Sequence, residues 1–351
     1  MPAATHRNNF DFLRLLFALF VVITHSYPLS GISECDVLCQ YTYGQAQLSN
    51  IGLQGFFIIS GYLVFQSLQR SKGIIDYYWK RIIRLFPALI VVLLFTVLVI
   101  VPLCYDDPVP YWRNTEVYSY VPRNLSLYFI QYGIRGVFTT VPYNTAINGS
   151  LWTLAYEFSL YIALSALFLI RSRNKVIIVL LSLVYILLFI VNSFYADVLT
   201  IRGSILRSDY LLNFSCHFFA GSLLAAVRYN TLVRYHNILL IISAMITIIS
   251  LFAPFHFNVL HYISLPLLVV GVGIKCTPVI CDISKRIGDL SYGVYIYAFV
   301  VQQTLMYFFS FNQLWLAVVS MPVSLLLAYG SWHLIEKRAL RMKRISFYPP
   351  R

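Results

Sequence analysis

The sequence predicts an all-α, polytopic integral membrane protein of about ten transmembrane helices with both termini cytoplasmic. Three observations carry that prediction: extreme apolarity, a scarcity of charge, and a one-sided distribution of the charges that exist. Of the 351 residues, 59% are hydrophobic and 17% aromatic, while only 11% are charged. Mean hydropathy is +0.74. Soluble domains carry about 25% charged residues, so a chain with under half that supply cannot cover a water-facing surface. A cytosolic enzyme, a disordered chain and a nucleic-acid binder are thereby excluded. The net charge of +13 is instead the Lys and Arg excess expected of cytoplasmic loops.

A helix needs roughly 20 apolar residues to cross about 30 Å of hydrocarbon. The segments that meet or approach this are Phe10–Tyr27, Leu48–Leu68, Leu85–Cys104, Leu151–Ile170, Val176–Asn192, Tyr210–Val227, Ile238–Ala253, Leu260–Ile274, Ser291–Phe309 and Leu314–Trp332. The tight Phe255–Val259 turn leaves nine as the alternative count. The first segment is not a cleavable signal, because Asp11 and Arg14 interrupt it and no small-residue cleavage site follows. With the N-terminus inside, 20 Lys and Arg fall in cytoplasmic segments and 5 outside (Arg113, Arg123, Arg135, Arg202, Arg207), with Arg14 in the first span. That bias sets the orientation.

Two outer loops stand out. Pro28–Gln47 holds Glu34, Asp36, Cys35 and Cys39; the C-x3-C spacing allows a local disulfide in an oxidising compartment. Tyr105–Ser150, with four prolines, is long for a connector, and a binding loop, a partly re-entrant segment or a simple structured loop all fit. Cys276 and Cys281 fall in a cytoplasmic segment and are expected to remain thiols. Without a C-x2-C pair or clustered histidines, no metal site is expected.

Ionisable residues within spans are costly and mark function. Arg14 and His25 are 11 residues apart, about 20° past three helical turns and roughly 16.5 Å along the axis. They therefore share one face of the first span, Arg14 toward the cytoplasm and His25 toward the outer half. The structural alternative pairs Arg14 with Asp11 and leaves His25 as an interfacial hydrogen-bonding group. Glu157 lies about two turns into a span entering from outside, at a depth similar to His25. A carboxylate near an imidazole orients it and raises its basicity, as a general base acting on a hydroxyl requires; a helix-to-helix hydrogen bond is the bland reading. Arg81 and Arg84, three apart, share a helix face suited to a phosphate, although positive-inside bias alone also places arginines there. Ser60 lacks a nucleophile-elbow context, and Gly55-Phe-Phe57-Ile-Ile-Ser60-Gly61 reads as a close-packing stretch. His217, His261 and His333 read as structural or interfacial.

Taken together, these segments resemble the membrane acyltransferase-three family of bacterial integral-membrane O-acyltransferases. Arg14, ten residues and His25 resemble its R-x10-H signature, and Phe57-Ile-Ile-Ser60-Gly61-Tyr62-Leu63 its F-F-x-x-S-G-Y-L. Arg81-Ile-Ile-Arg84-Leu-Phe-Pro87, Leu151-Trp152-Thr-Leu-Ala-Tyr-Glu157 and Leu290-Ser-Tyr-Gly-Val-Tyr-Ile-Tyr297 follow in order, and Glu336-Lys337 closes the set. Two positions depart: Ala298 replaces a frequent histidine, and Arg338 a usual proline.

The resemblance implies one membrane acyltransferase domain over 1–351, with spans at about 10–332, a basic tail at 333–351 and no appended esterase-like domain. It implies transfer of an acetyl group from cytoplasmic acetyl-CoA to a sugar hydroxyl, as in surface polysaccharide or O-antigen, on the outer side of the inner membrane. His25 and Glu157 would then be catalytic, and Arg14, Arg81 and Arg84 would bind the acyl-CoA. Asp11, Ser60, Tyr62, Trp152 and Tyr297 would line the substrate path or support the site. The expected partners are acetyl-CoA, a saccharide acceptor and membrane lipids, with no nucleic acid and no resident cofactor. The competing class is a transporter or flippase of a lipid-linked sugar, but the chain lacks obvious inverted repeats or paired broken helices.

Overall fold

The computed structural model describes residues 7–195, 208–229, 236–253 and 257–344. Arg202, Arg207, Arg234 and Arg351, together with Phe255 and His256 of the predicted tight turn, lie outside the described residues.

In chain order the α-helices are α1 (Phe10–Leu29), α2 (Val37–Tyr41), α3 (Leu48–Arg70), α4 (Ile74–Phe95), α5 (Val101–Leu103), α6 (Thr115–Leu125), α7 (Thr153–Ser165), α8 (Asn174–Phe194), α9 (Ser208–Ala226), α10 (His236–Phe252), α11 (Phe257–Ile274), α12 (Ile283–Ile287), α13 (Ser291–Phe309), α14 (Gln313–Ser331) and α15 (Lys337–Arg341). Among the described residues no strand forms, and pairing is confined to an isolated antiparallel bridge between Tyr105 and Val137. Each of the ten apolar segments read from the sequence coincides with a helix. Among the described residues, six helical stretches are long and apolar enough to cross a membrane: Phe10–Leu29, Leu48–Arg70, Ile74–Leu103, Thr153–Ile170, Asn174–Phe194 and Gln313–Arg341.

Two of these spans are longer than a single α-helix because a π-turn continues them. Thr96–Ile100 joins α4 to α5, and Trp332–Glu336 joins α14 to α15. At the first π-turn the Thr96 hydroxyl donates to the Val92 carbonyl at 2.7 Å, a back-bond that competes with the regular ladder. Helix starts follow capping chemistry. The Asn114 side chain accepts from the Glu116 N–H, and Asn312 from the Trp315 N–H.

By its internal contacts the chain resolves into two compact units, each assembled from discontinuous segments. The first comprises Met1–Phe17, Val37–Ile74 and Tyr156–Ile287; the second Ala18–Asp36, Ile75–Ala155 and Gly288–Arg351. In the first unit, α3 and α9 approach each other closely. A Cβ on Gly61 would lie 1.9 Å from the Phe218 carbonyl oxygen, and one on Gly221 would lie 2.1 Å from that of Ile58. The approach requires glycine on both helices, as small residues permit in apolar surroundings. The Ser222 hydroxyl then reaches across to the Gly61 carbonyl at 3.1 Å. The Thr247 hydroxyl donates to Ser264 at 2.8 Å and joins α10 to α11. In the second unit, α13 meets α14 where Gly293 faces Ala328.

The cysteines correct one expectation. Cys276 and Cys281 are not thiols but form a disulfide. A turn bonded from the Cys281 N–H to the Thr277 carbonyl brings their Cα atoms to 5.1 Å, within disulfide range. Cys35 and Cys39 are also disulfide-bonded, whereas Cys104 and Cys216 are free and buried.

Candidate active site

The first unit supplies the start of α1 and the acid-bearing helix α7. Asn9 fixes the start of α1: its N–H donates to the Gly273 carbonyl, and its side-chain amide donates to Val272 and Thr277 while accepting the Thr277 N–H. Arg7 forms an ion pair with Asp282 just beyond that turn. One turn into α1, Arg14 donates to Asp11 at 3.1 Å, with a fifth of its side chain exposed. The local pair weighed in the sequence is therefore present.

Glu157 lies half-buried near the beginning of α7. The Gly61–Phe218 approach seats α3 against α9, and the neighbouring Ser60 donates to Glu157 Oε1 at 3.1 Å. Tyr161, one turn along α7, donates to the same oxygen. The Ser60 and Tyr161 oxygens are themselves 3.1 Å apart. A carboxylate holding two hydroxyl donors can receive a proton or orient a neighbouring group. The sequence reading missed Tyr161; its signal was the i, i+4 spacing from Glu157. Tyr62, from the same motif as Ser60, is buried against Phe10 with ring centroids 5.3 Å apart.

The second unit holds His25 in the later half of α1. The imidazole is half-buried and meets Phe299 of α13 edge-on, centroids 5.2 Å apart. Phe299 is seated by its surroundings: Gly149 passes where a Cβ would fall 2.5 Å from the ring, and Tyr143 packs at 6.1 Å. Polar side chains of α13 fix the flanks. Gln302 donates to the Val22 carbonyl at 2.9 Å, and Gln303 donates to Tyr143 and Ala146 at 2.6 Å each. Asn148 donates to the Ile296 carbonyl. The residue before His25, Thr24, donates to the fully buried carboxylate of Asp36 at 2.5 Å. Burial, and then the charge of Asp36, raise the nearby Glu34 carboxyl above its ordinary range.

The two arginines of α4 point to different partners. Arg81 is buried, donates to the Tyr77 carbonyl at 2.9 Å and lies over the Tyr77 ring at 4.3 Å. Arg84 pairs with Asp289 at 2.5 Å, and its guanidinium is 6.0 Å from the Trp332 ring centroid. Lys80, between them and the start of the helix, pairs with Asp76. Trp152 is half-buried, and its neighbour Thr153 shares a 2.6 Å hydrogen bond with Tyr295. Tyr297 is buried and in hydrogen-bond contact with Ser331.

The long Tyr105–Ser150 segment is an ordered cap in the second unit. The Asp106 N–H donates to Gly136, Asn114 donates to the Arg135 carbonyl, and Arg135 pairs with Asp107 at 2.8 Å. The Tyr307 hydroxyl of α13 donates to Asp106 at 2.8 Å.

Two relatives match over nearly their full length. One, named O-acetyl transferase, from Shigella phage Sf6, is 30% identical over 345 residues, covering 95% of this chain and 97% of the relative. Another, Nodulation protein 10 of Rhizobium leguminosarum bv. viciae, is 27% identical, covering 96% and 94%. No solved structure matches the chain. The acyltransferase-three family, described as an acyltransferase domain, matches residues 7–333, and the chain belongs to that family.

Proposed function

We propose that this acyltransferase moves an acetyl group from acetyl-CoA to a sugar hydroxyl of a surface polysaccharide such as O-antigen. It works as a multi-pass inner-membrane protein of about ten spans with both termini cytoplasmic. The observation that carries the reading is α1, an unbroken helix from Phe10 to Leu29 that presents Arg14 and His25 on one face. A cation near one end and an imidazole roughly 16.5 Å further along suit a donor with phosphates at one end and a thioester at the end of a long arm. The name of the 30%-identical relative supports O-acetylation.

In this reading Arg14, Arg81 and Arg84 take the phosphates or line the pantetheine path. His25 removes the proton of the acceptor hydroxyl, and Glu157 assists it. The new bond joins the sugar oxygen to the acetyl carbonyl carbon, the carbon–sulfur bond breaks, and the proton passes to the departing thiolate of coenzyme A. Ser60 holds Glu157, and Asp11 holds Arg14. Tyr62, Trp152 and Tyr297 line the substrate path or support the site.

The test is mass spectrometry of host surface glycans with and without the gene. A 42-dalton increment, the mass of an acetyl group, is expected with the parent chain and is lost with His25→Ala. No increment in the parent, or an increment retained by His25→Ala in equal amount, overturns the reading.

A further inference from the structure

Asp289 is the residue immediately before the Leu290-Ser291 start of α13, and both of its oxygens are engaged. Oδ2 accepts from Arg84, and Oδ1 accepts from the Ser291 hydroxyl at 2.7 Å. Its side chain is 11% exposed, against 25% for Arg84. Nearby Glu336 is a buried residue, 3% exposed. One Glu336 oxygen accepts from Ser331 at 3.2 Å, while Oε2 is buried with no hydrogen-bond partner. Glu336 lies within electrostatic reach of both Arg84 and Asp289. Thus one carboxylate pairs directly with Arg84, and a second, buried one lies within electrostatic reach of the pair. All of these residues belong to the second unit.

A simple tether between α4 and α13 does not need that arrangement. The Tyr292 hydroxyl already donates to the Leu85 carbonyl at 2.9 Å, beside Arg84. Gly288, at φ +97°, packs so closely under Trp332 that a Cβ would fall 2.2 Å from the indole. The head of α13 is therefore located by two contacts independent of charge. Burying carboxylates is costly, and a guanidinium paired with a buried carboxylate takes a fixed planar orientation. Arg84 pairs with a carboxylate that also accepts from Ser291, and a quarter of its side chain is exposed.

We propose that Asp289, backed by Glu336, is a positioning residue. It holds the Arg84 guanidinium in the orientation that receives a phosphate group of the acyl-CoA donor, without touching the donor itself. The proposal rests on the reading of Arg84 as a donor-phosphate ligand.

The test measures binding of coenzyme A by isothermal titration to the full chain in lipid nanodiscs, with the phosphate-free fragment pantetheine as a second probe. Asp289→Asn is expected to weaken coenzyme A binding about tenfold or more and to leave pantetheine binding within twofold. Asp289→Glu restores part of the loss, and Ser291→Ala gives a smaller, few-fold loss. Should Asp289→Asn not fold, Asp289→Glu and Ser291→Ala carry the test. Coenzyme A binding unchanged in the variants, or coenzyme A and pantetheine weakened equally, would show a purely structural tether and overturn the proposal. Arg84→Ala separates the two levels. If it leaves coenzyme A binding unchanged, the underlying reading of Arg84 fails. If it weakens binding while the Asp289 variants do not, only the positioning role fails.

Discussion

Two carboxylate sites in this apolar chain are stabilised in opposite ways. In the first unit Glu157 is held by hydroxyl groups, those of Ser60 and Tyr161. In the second unit Asp289 pairs with a guanidinium, that of Arg84, and Glu336 lies within electrostatic reach of both. Hydroxyl donors steady a carboxylate without neutralising it, so its charge and remaining lone pairs stay available for chemistry. A guanidinium neutralises its carboxylate and takes a fixed planar orientation in return. The first site therefore suits a group that must respond to protons, the second one that must present a cation at a fixed angle.

The largest effect is expected from Glu157→Gln. The amide keeps the size and can still accept from Ser60 and Tyr161, but it has no charge. We expect acetyl transfer to fall by about 10²–10⁴-fold, the range typical of a lost acid–base group, with the thermal midpoint little changed. Radiolabelled acetyl transfer alongside a melting curve checks both. A loss of less than threefold would reduce Glu157 to a helix-packing residue and remove the contrast between the sites.

Arg84→Lys probes the other side. Lysine keeps the charge but not the planar fork that meets Asp289. A hydrogen bond to a charged group contributes about 1.5–3 kcal/mol, so donor binding should weaken roughly 10- to 100-fold. Titration with coenzyme A measures this. Parent-like binding by the lysine variant would mean that charge alone matters and that the orientation built by Asp289 is irrelevant.

The sequence makes some of this legible and hides the rest for physical reasons. Hydrophobic run length reflects the membrane directly, so all ten apolar segments coincide with helices. Arg14, His25 and Glu157 stand out because charge is so scarce around them. Partners are harder. Tyr161 is one of 27 tyrosines, and nothing but its i, i+4 offset distinguishes it. Asp289 looks like an ordinary polar residue at a helix boundary, since its value depends on Arg84, 205 positions away. The Cys276–Cys281 bond depends on a local turn that compartment reasoning cannot anticipate. Nor does hydropathy reveal that each unit is stitched together from distant segments; the close approach of α3 and α9 is written in two glycines, Gly61 and Gly221.

A smaller effect sharpens the hydroxyl-held site. Tyr161→Phe removes one of the two donors to Glu157 and leaves Ser60 in place. A single hydrogen bond contributes about 0.5–1.5 kcal/mol, so activity should fall by roughly 2- to 10-fold. Ser60→Ala should act similarly, and the double variant should lose more than either alone. Equal losses in the single and double variants would show that the two hydroxyls act as one unit rather than as separate supports. The measurement is initial rate at saturating donor.

The smallest expected effect belongs to a third kind of carboxylate, which serves as a control for the other two. Asp107 pairs with Arg135 in the long cap segment, where Arg135 is 64% exposed. The Arg135 hydrogen bond, then that from the Val109 N–H, holds the Asp107 carboxyl below its ordinary range. Because its pKa is lower in the folded cap than in an unfolded chain, the pairing favours the ordered cap above about pH 4. It is lost as the pH falls through the depressed value. Between pH 5 and 8 the cap should therefore be indifferent to pH, and acid should loosen it. Salt should weaken the pair as well, since exposed charges are screened within about 8–10 Å at physiological ionic strength. Asp107→Asn should abolish the acid response while leaving acetyl transfer near the parent rate, because the Asn114–Arg135 and Asp106–Gly136 hydrogen bonds persist. Hydrogen exchange across residues 105–137, read from pH 3 to 8, measures it. A transition between pH 5 and 8, or an acid response retained by the asparagine variant, would assign the cap's pH sensitivity to another group and show that exposed pairing at Asp107 does not order the segment.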